Sequence, residues 1–189
     1  MGILLSFSPF IAFAILMRST SAQIALFAGA AIAVVLVVRE LASGKSVKVL
    51  EAGTAVLFGA LGLYVTLVPS AWSILGVRLA VDTGLLAIVL ISIAIRLPFT
   101  LQYAREQVPA EIAALPAFLA VNAVITWGWA GAFAVMVLAD VIMLYLPQVP
   151  LWIGIALTVA AFVAAVWFTR WYPARMRARA VAAGVRAGA

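Results

Sequence analysis

This sequence predicts a polytopic bundle of membrane-crossing α-helices, an all-α fold with six transmembrane helices. Apolar and aromatic residues make up 68% of its 189 positions and charged residues only 10%, against about half and about a quarter in a soluble domain. The apolar residues come in long runs, several of them near the roughly 20 residues that a helix needs to cross a bilayer. Ala, Leu, Val and Ile dominate these runs without alternating polar positions, which excludes a membrane β-barrel.

The six spans are expected at residues 3–17, 21–38, 52–68, 77–95, 116–146 and 151–168. The first is apolar up to Arg18. A cleaved signal peptide is its rival reading, through Thr20-Ser21-Ala22, but no basic residue precedes the run and Arg18 follows it. A retained helix is therefore expected. Met1-Gly2-Ile3-Leu4-Leu5-Ser6 also fits a myristoylation pattern, a short match that a self-inserting segment does not need. The connections 18–20 and 147–150 are so short that the helices on either side form antiparallel hairpins. The fifth span is longer than one crossing requires and is expected to tilt, protrude or bend near Gly128 and Gly131. Residues 1–168 form one transmembrane domain, and 169–189 form a basic tail.

Orientation follows from the distribution of Lys and Arg. The side of the N-terminus receives Arg39, Lys45, Lys48, Arg96 and Arg105, and the tail adds Arg170, Arg175, Arg177, Arg179 and Arg186. The opposite side receives Arg18 and Arg78 alone. Both termini are therefore expected in the cytoplasm.

Composition also excludes chemistry. The chain has no His and no Cys, so it offers no His- or thiolate-held haem, no iron–sulfur cluster, no ordinary zinc site and no thiol nucleophile. Lys45 and Lys48 lie outside the apolar runs, which argues against a buried Schiff base. No cofactor and no enzymatic activity are expected. The only candidate acids for a membrane enzyme are Glu106, Glu111, Asp82 and Asp140. Gly44-Lys45-Ser46 looks like the end of a phosphate-binding loop, but the glycine that pattern requires five positions earlier is Arg39. A polar turn is the expected reading.

A charge within a membrane span costs about 2.5–3.5 kcal/mol on insertion scales, so Arg78, Asp82 and Asp140 stand out. Arg78 and Asp82 are one turn apart and share a helix face. Asp140 lies six residues before the outer end of the fifth span, at a comparable depth. Two readings follow. One is a polar cluster, two acids against one base, that binds or conducts a proton or cation, with Asn122 as a further polar candidate. The other is a charge pair holding helices in register, with the surplus acid neutral or reaching the interface.

The loop 96–115 is the most distinctive polar segment. Between Pro98 and Pro109 a short helix is expected, with Phe99, Tyr103 and Gln107 on one face, as suits an interfacial helix. Gln102, Tyr103, Arg105 and Glu106 are candidates for a cytoplasmic docking element. The tail, preceded by Trp167, Trp171 and Tyr172, is an expected anchor to anionic lipid headgroups, and nucleic-acid binding is not expected. Small residues spaced by four, at Ala25, Gly29 and Ala33, at Ala55 and Gly59, and at Ala156, Ala160 and Ala164, suit close helix packing within the chain or between copies in a homo-oligomer.

Leu97-Pro98-Phe99-Thr100-Leu101-Gln102-Tyr103-Ala104-Arg105-Glu106-Gln107-Val108-Pro109, followed by Asn122, Ile125-Thr126, Trp127, Phe133, Leu138-Ala139-Asp140 and Leu146-Pro147, resembles the bacterial intracellular septation protein A family of small inner-membrane proteins. Leu5-Ser6-Phe7-Ser8-Pro9-Phe10 and the order of apolar runs are similar too. That family is usually assigned five spans, and its basic start to the fifth span is here the apolar Pro116-Ala117-Phe118. The resemblance implies a role in cell-envelope maintenance and division through contacts with other envelope proteins, and it carries over no active residue. A small proton or cation channel built on the intramembrane charges is the alternative.

Overall fold

A computed structural model of the chain describes residues 2–68 and 72–187. Met1 of the myristoylation-like pattern, the side chain of Arg186 and residues 188–189 of the tail lie outside the described residues. In hydrocarbon each backbone polar group needs an internal partner, and among the described residues every regular element is a helix.

The first apolar run is broken into α1 (Gly2–Leu5) and α2 (Ser8–Leu16). Pro9 has no N–H for the Leu5 carbonyl, which interrupts the ladder. The intervening Ser6 and Phe7 turn into the interior, at 2% and 1% exposure. At about 1.5 Å per residue α2 rises only about 14 Å, short of the roughly 30 Å hydrocarbon layer. Five later helices are long and apolar enough to cross a membrane: α3 (Ala22–Ala42), α4 (Val49–Leu67), α5 (Ile74–Ala94), then, after the short α6 (Phe99–Arg105) and α7 (Ala110–Ala113), α8 (Pro116–Tyr145) and α9 (Leu151–Ala187). The six uninterrupted spans expected from hydropathy are thus five long helices and one broken segment.

Local chemistry sets the ends. Ser21 and Ser73 cap α3 and α5 by accepting hydrogen bonds from the Ile24 and Gly76 amides, and Pro116 opens α8, where its missing N–H costs nothing. The amides of Gly44 and Lys45 return to the carbonyls of Leu41 and Glu40. This double closure, with φ +68° at Gly44, ends α3 in a left-handed cap and accounts for the Gly44-Lys45-Ser46 turn. The amides of Arg96 and Leu97 close α5 in the same way on Ile93 and Ser92, with Arg96 at φ 59° where glycine is usual. α9 continues through Pro173 to Ala187, so the basic tail extends the last crossing helix without a break.

The hairpins α3–α4 and α8–α9 flank α5, which packs on both α4 and α8, while α2 lies on α3 and α6 on α8. Phe13, Ala25, Leu26, Phe58, Val77 and Val81 form one core. The other gathers Phe7, Phe99 and Phe133 around Trp129. Phe7 stacks on the Trp129 indole at 4.8 Å, and Phe99 and Phe162 meet it edge-on. Such aromatic pairs add about 0.5–1.5 kcal/mol each beyond area burial. α8, unbroken through Gly128 and Gly131, is the central helix.

Large apolar side chains cover the outside, among them Val35, Val56, Leu67 and Ile74, all more than 60% exposed. That surface suits lipid and would not suit water. Ala25, Gly29 and Ala33 are buried inside the chain, with Gly29 against the Phe58 ring. Ala156, Ala160 and Ala164 face outward.

Arg96 is exposed and bears a side chain in a conformation that costs an L-residue about 1–2 kcal/mol. Arg96→Gly should raise the thermal midpoint of the purified protein by about 2–4 °C, and Arg96→Val should lower it, as followed by circular dichroism in detergent.

Candidate functional site

Two polar clusters lie at opposite ends of the bundle. The first is at the end shared by the α3–α4 turn, the α1–α2 turn and α6. Lys48, the residue just before α4, is 2% exposed. Its ammonium pairs with Glu40 of α3 and, at 2.9 Å, with Glu106 at the end of α6. Lys45 reaches the same Glu106 carboxylate at 3.3 Å, and Lys48 also lies 5.2 Å from the centre of the Tyr103 ring. Beneath them Glu51, in the first turn of α4, is 4% exposed. Its Oε1 accepts hydrogen bonds from Ser6 at 2.8 Å and Tyr103 at 3.2 Å. Its Oε2 is buried and receives none. A cleft of about 350 Å³ opens over these groups, with Arg39 also on its wall.

α6 is held in place by buried polar bonds. The Phe99 amide donates to Ser92 Oγ, and Thr100 Oγ1 donates to the Asn122 carbonyl beside Thr126 Oγ1. Gln102 Oε1 accepts the Val49 amide at 2.9 Å, which caps α4 from another element, while its Nε2 donates to the Leu97 carbonyl. Phe99, Thr100, Leu101 and Tyr103 are all buried, so the aromatic face expected to rest on lipid is packed into the protein. Of the docking candidates, Gln102 and Tyr103 therefore bind inward, Arg105 is exposed, and Glu106 is exposed at the cleft rim while paired with Lys45 and Lys48.

The second cluster lies at the other end. Arg78, early in α5, sends Nε to within 2.8 Å of Asp140 Oδ1 on α8 and donates from Nη2 to Thr158 Oγ1 of α9 at 2.6 Å. One guanidinium thus links three helices. Its ion-pair partner is Asp140 across the interface, not Asp82 one turn along its own helix. Asp140 is completely buried and Asp82 is 7% exposed, and their carboxyl groups are close enough to interact. The Arg78–Asp140 contact is an ion pair by distance without an aligned N–H, and no N–H or hydroxyl group donates to either oxygen of Asp140. Asn122 belongs to the opposite end. Its Nδ2 donates to the Phe118 carbonyl one turn back, and it stands about 27 Å along α8 from Asp140.

Lys48, Glu40, Glu51 and Ser6 escape a reading by hydropathy. Placing the third span from residue 52 sets Glu51 outside the helix, whereas α4 begins at Val49 and holds it in its first turn. An acid there is favoured by the positive end of the helix dipole, which is the signal that marks it.

Comparison with protein-family models, curated proteins and solved structures finds no match to this chain.

Burial is the largest influence on the Lys48 ammonium and pulls its pKa down, but Glu40, Glu106 and Glu51 together hold it above the ordinary 10.5. Burial likewise pushes Glu106 up, and the hydrogen bonds and charges of Lys48 and Lys45 outweigh it, leaving the carboxyl below 4.5. Burial raises the Tyr103 phenol, so it remains a donor to Glu51. Glu106, depressed on folding, stabilises the protein above its unfolded value and ceases to do so as pH falls through the folded one. Lys48, raised on folding, stabilises below 10.5 and ceases to do so as pH climbs through its folded value. The stability contributed by this cluster should therefore be flat from about pH 5 to about pH 10 and fall on both sides. Lys48→Met should lower the plateau by about 2 kcal/mol, since it leaves acids unpaired, and flatten both limbs in a melting series against pH.

Proposed function

We propose that the chain is a non-enzymatic, multi-pass protein of the bacterial inner membrane, similar in role to septation protein A, that supports envelope maintenance or division through protein and lipid contacts. The observation that supports this reading is the fixed placement of α6. Ser92, Thr100, Gln102 and Tyr103 tie its inner face to α4, α5 and α8, so the exposed Arg105 and the partly exposed Glu106 are presented on a rigid edge. A rigid edge at a membrane surface suits recognition, because little order is lost on binding. The exposed Trp167 stacks on Trp171, and Arg175 lies over the Trp171 ring, an arrangement suited to anchoring the basic end of α9 among anionic headgroups.

In this reading the broken α1–α2 segment completes a sixth passage and both termini are cytoplasmic. Support comes from Ser6, which bonds Glu51 at the start of α4, while α2 ends where α3 begins, at the far end of the α3–α4 hairpin. The absence of native cysteine makes the test clean. Arg105→Cys should be shielded from an impermeant maleimide in intact cells and Ser19→Cys should react. The reverse pattern would invert the topology.

A second reading, proton or cation passage at Arg78, Asp82 and Asp140, draws on one observation: a fully buried aspartate to whose oxygens no N–H or hydroxyl group donates. Buried groups of this kind are costly and often functional. The two readings separate by complementation of a deletion strain scored for septum placement. The contact reading expects charge reversal at Arg105 and Glu106 together to abolish rescue and Asp140→Asn to retain it. Rescue lost only with Asp140→Asn, together with aspartate-dependent proton flux in liposomes, would favour passage.

A further inference from the structure

The cleft over Glu51 has one feature that the ion pairs around it do not use. Glu40 and Glu106 are occupied by Lys48 and Lys45. Glu51 Oε1 is occupied by Ser6 and Tyr103. Glu51 Oε2 is buried without a donor, although Glu51 lines a cleft of about 350 Å³. A buried acceptor left in this state calls for a donor, and the strongest is an ammonium, which makes a charge-assisted bond to a carboxylate. The terminal torsion of a glutamate is broad and soft, so the carboxyl can turn an oxygen toward a guest in the cleft.

Other lining residues define the rest of that guest. Arg39 stands on the cleft wall with its side chain exposed, and no carboxylate pairs with it among the ion pairs of the described residues. It is a cation suited to phosphate oxygens. Leu5 and Leu36 supply an apolar wall, and the cleft lies at the polar ends of the apolar lengths of α3 and α4.

We propose that this cleft binds a phosphoethanolamine group, its ammonium on Glu51 and its phosphate on Arg39. The shared chemistry belongs both to a membrane lipid and to a free headgroup. The inference depends on neither the contact reading nor the passage reading, since it uses none of Arg105, Arg78, Asp82 or Asp140.

The test is thermal denaturation of the full chain in neutral detergent with added phosphatidylethanolamine, phosphatidylcholine or glycerophosphoethanolamine. The choline headgroup carries the same charges but no N–H, so it cannot donate to Glu51. Phosphatidylethanolamine should raise the midpoint by about 3 °C or more at saturating lipid, and phosphatidylcholine by less than half of that. Glu51→Gln should remove the difference between the two lipids, and Arg39→Gln should weaken the ethanolamine effect about tenfold in concentration. A shift with glycerophosphoethanolamine equal to that with the lipid would identify the headgroup alone as sufficient. A shift with the lipid only would identify the membrane as the source. Equal stabilisation by the ethanolamine and choline lipids would overturn the proposal, as would an ethanolamine preference that survives Glu51→Gln. If Glu51→Gln does not fold, the wild-type comparison and the rim variant Arg39→Gln decide, and an unchanged dose response in the latter counts against the site.

Discussion

A backbone amide or carbonyl without a partner in hydrocarbon costs several kcal/mol, so a chain this apolar can leave the helix only where something else takes the vacated hydrogen bonds. At the end where α3, α5 and α6 finish, each departure is covered. Left-handed caps at Gly44 and Arg96 return two amides apiece to the preceding turn. Ser92 accepts from Phe99, and Gln102 accepts from Val49. Polar side chains accumulate at this end because helices stop there. The charged cleft is built from the same segments, so capping and site formation are one event.

The two ends solve the cost of buried charge differently. Around Lys48 two ammonium groups and two carboxylates are linked in a chain of ion pairs beside an opening to solvent, which keeps the desolvation penalty within what the pairing returns. Around Arg78 a single guanidinium serves Asp140 and Thr158, while two carboxyl groups share one cation. The first arrangement is that of a satisfied framework with one spare acceptor, Glu51 Oε2. The second leaves an acid in excess inside the membrane. α8, 30 residues long, connects the two: one end secures α6 through Asn122 and Thr126, and the other delivers Asp140 to Arg78. Between them Trp129, held by stacking and by a hydrogen bond to Thr169, joins α8 to α9 and to the Phe7 turn.

Much of this was legible in composition and periodicity. The five long helices fall on five of the expected apolar runs, with ends differing by several residues where charges are involved: α3 carries on past Arg39 and Glu40, and α4 starts early enough to enclose Glu51. Both differences have one cause. A charged residue in a helix's first or last turn reads as loop by hydropathy, yet the helix dipole favours Arg39 at the end of α3 and Glu51 at the start of α4, while Glu40, which the dipole opposes, is held by Lys48. The break at Ser6-Phe7 was hidden for the opposite reason. Its residues are apolar or small, and only Pro9 betrays it.

The sequence by itself determined that the chain is a helical membrane bundle, roughly where its long helices run, and which charges lie within them, because hydrocarbon imposes a rule on composition and length that needs no partner to state. Tertiary structure alone decided which charges meet. Arg78 is one turn from Asp82 in the chain but bonds across to α8, Lys48 finds Glu40 and Glu106 on two other helices, and the aromatic face of α6 turns inward. Those choices depend on how helices cross and rotate against each other, which is set by packing around Phe58 and Trp129 and leaves no trace in the order of residues along any one helix.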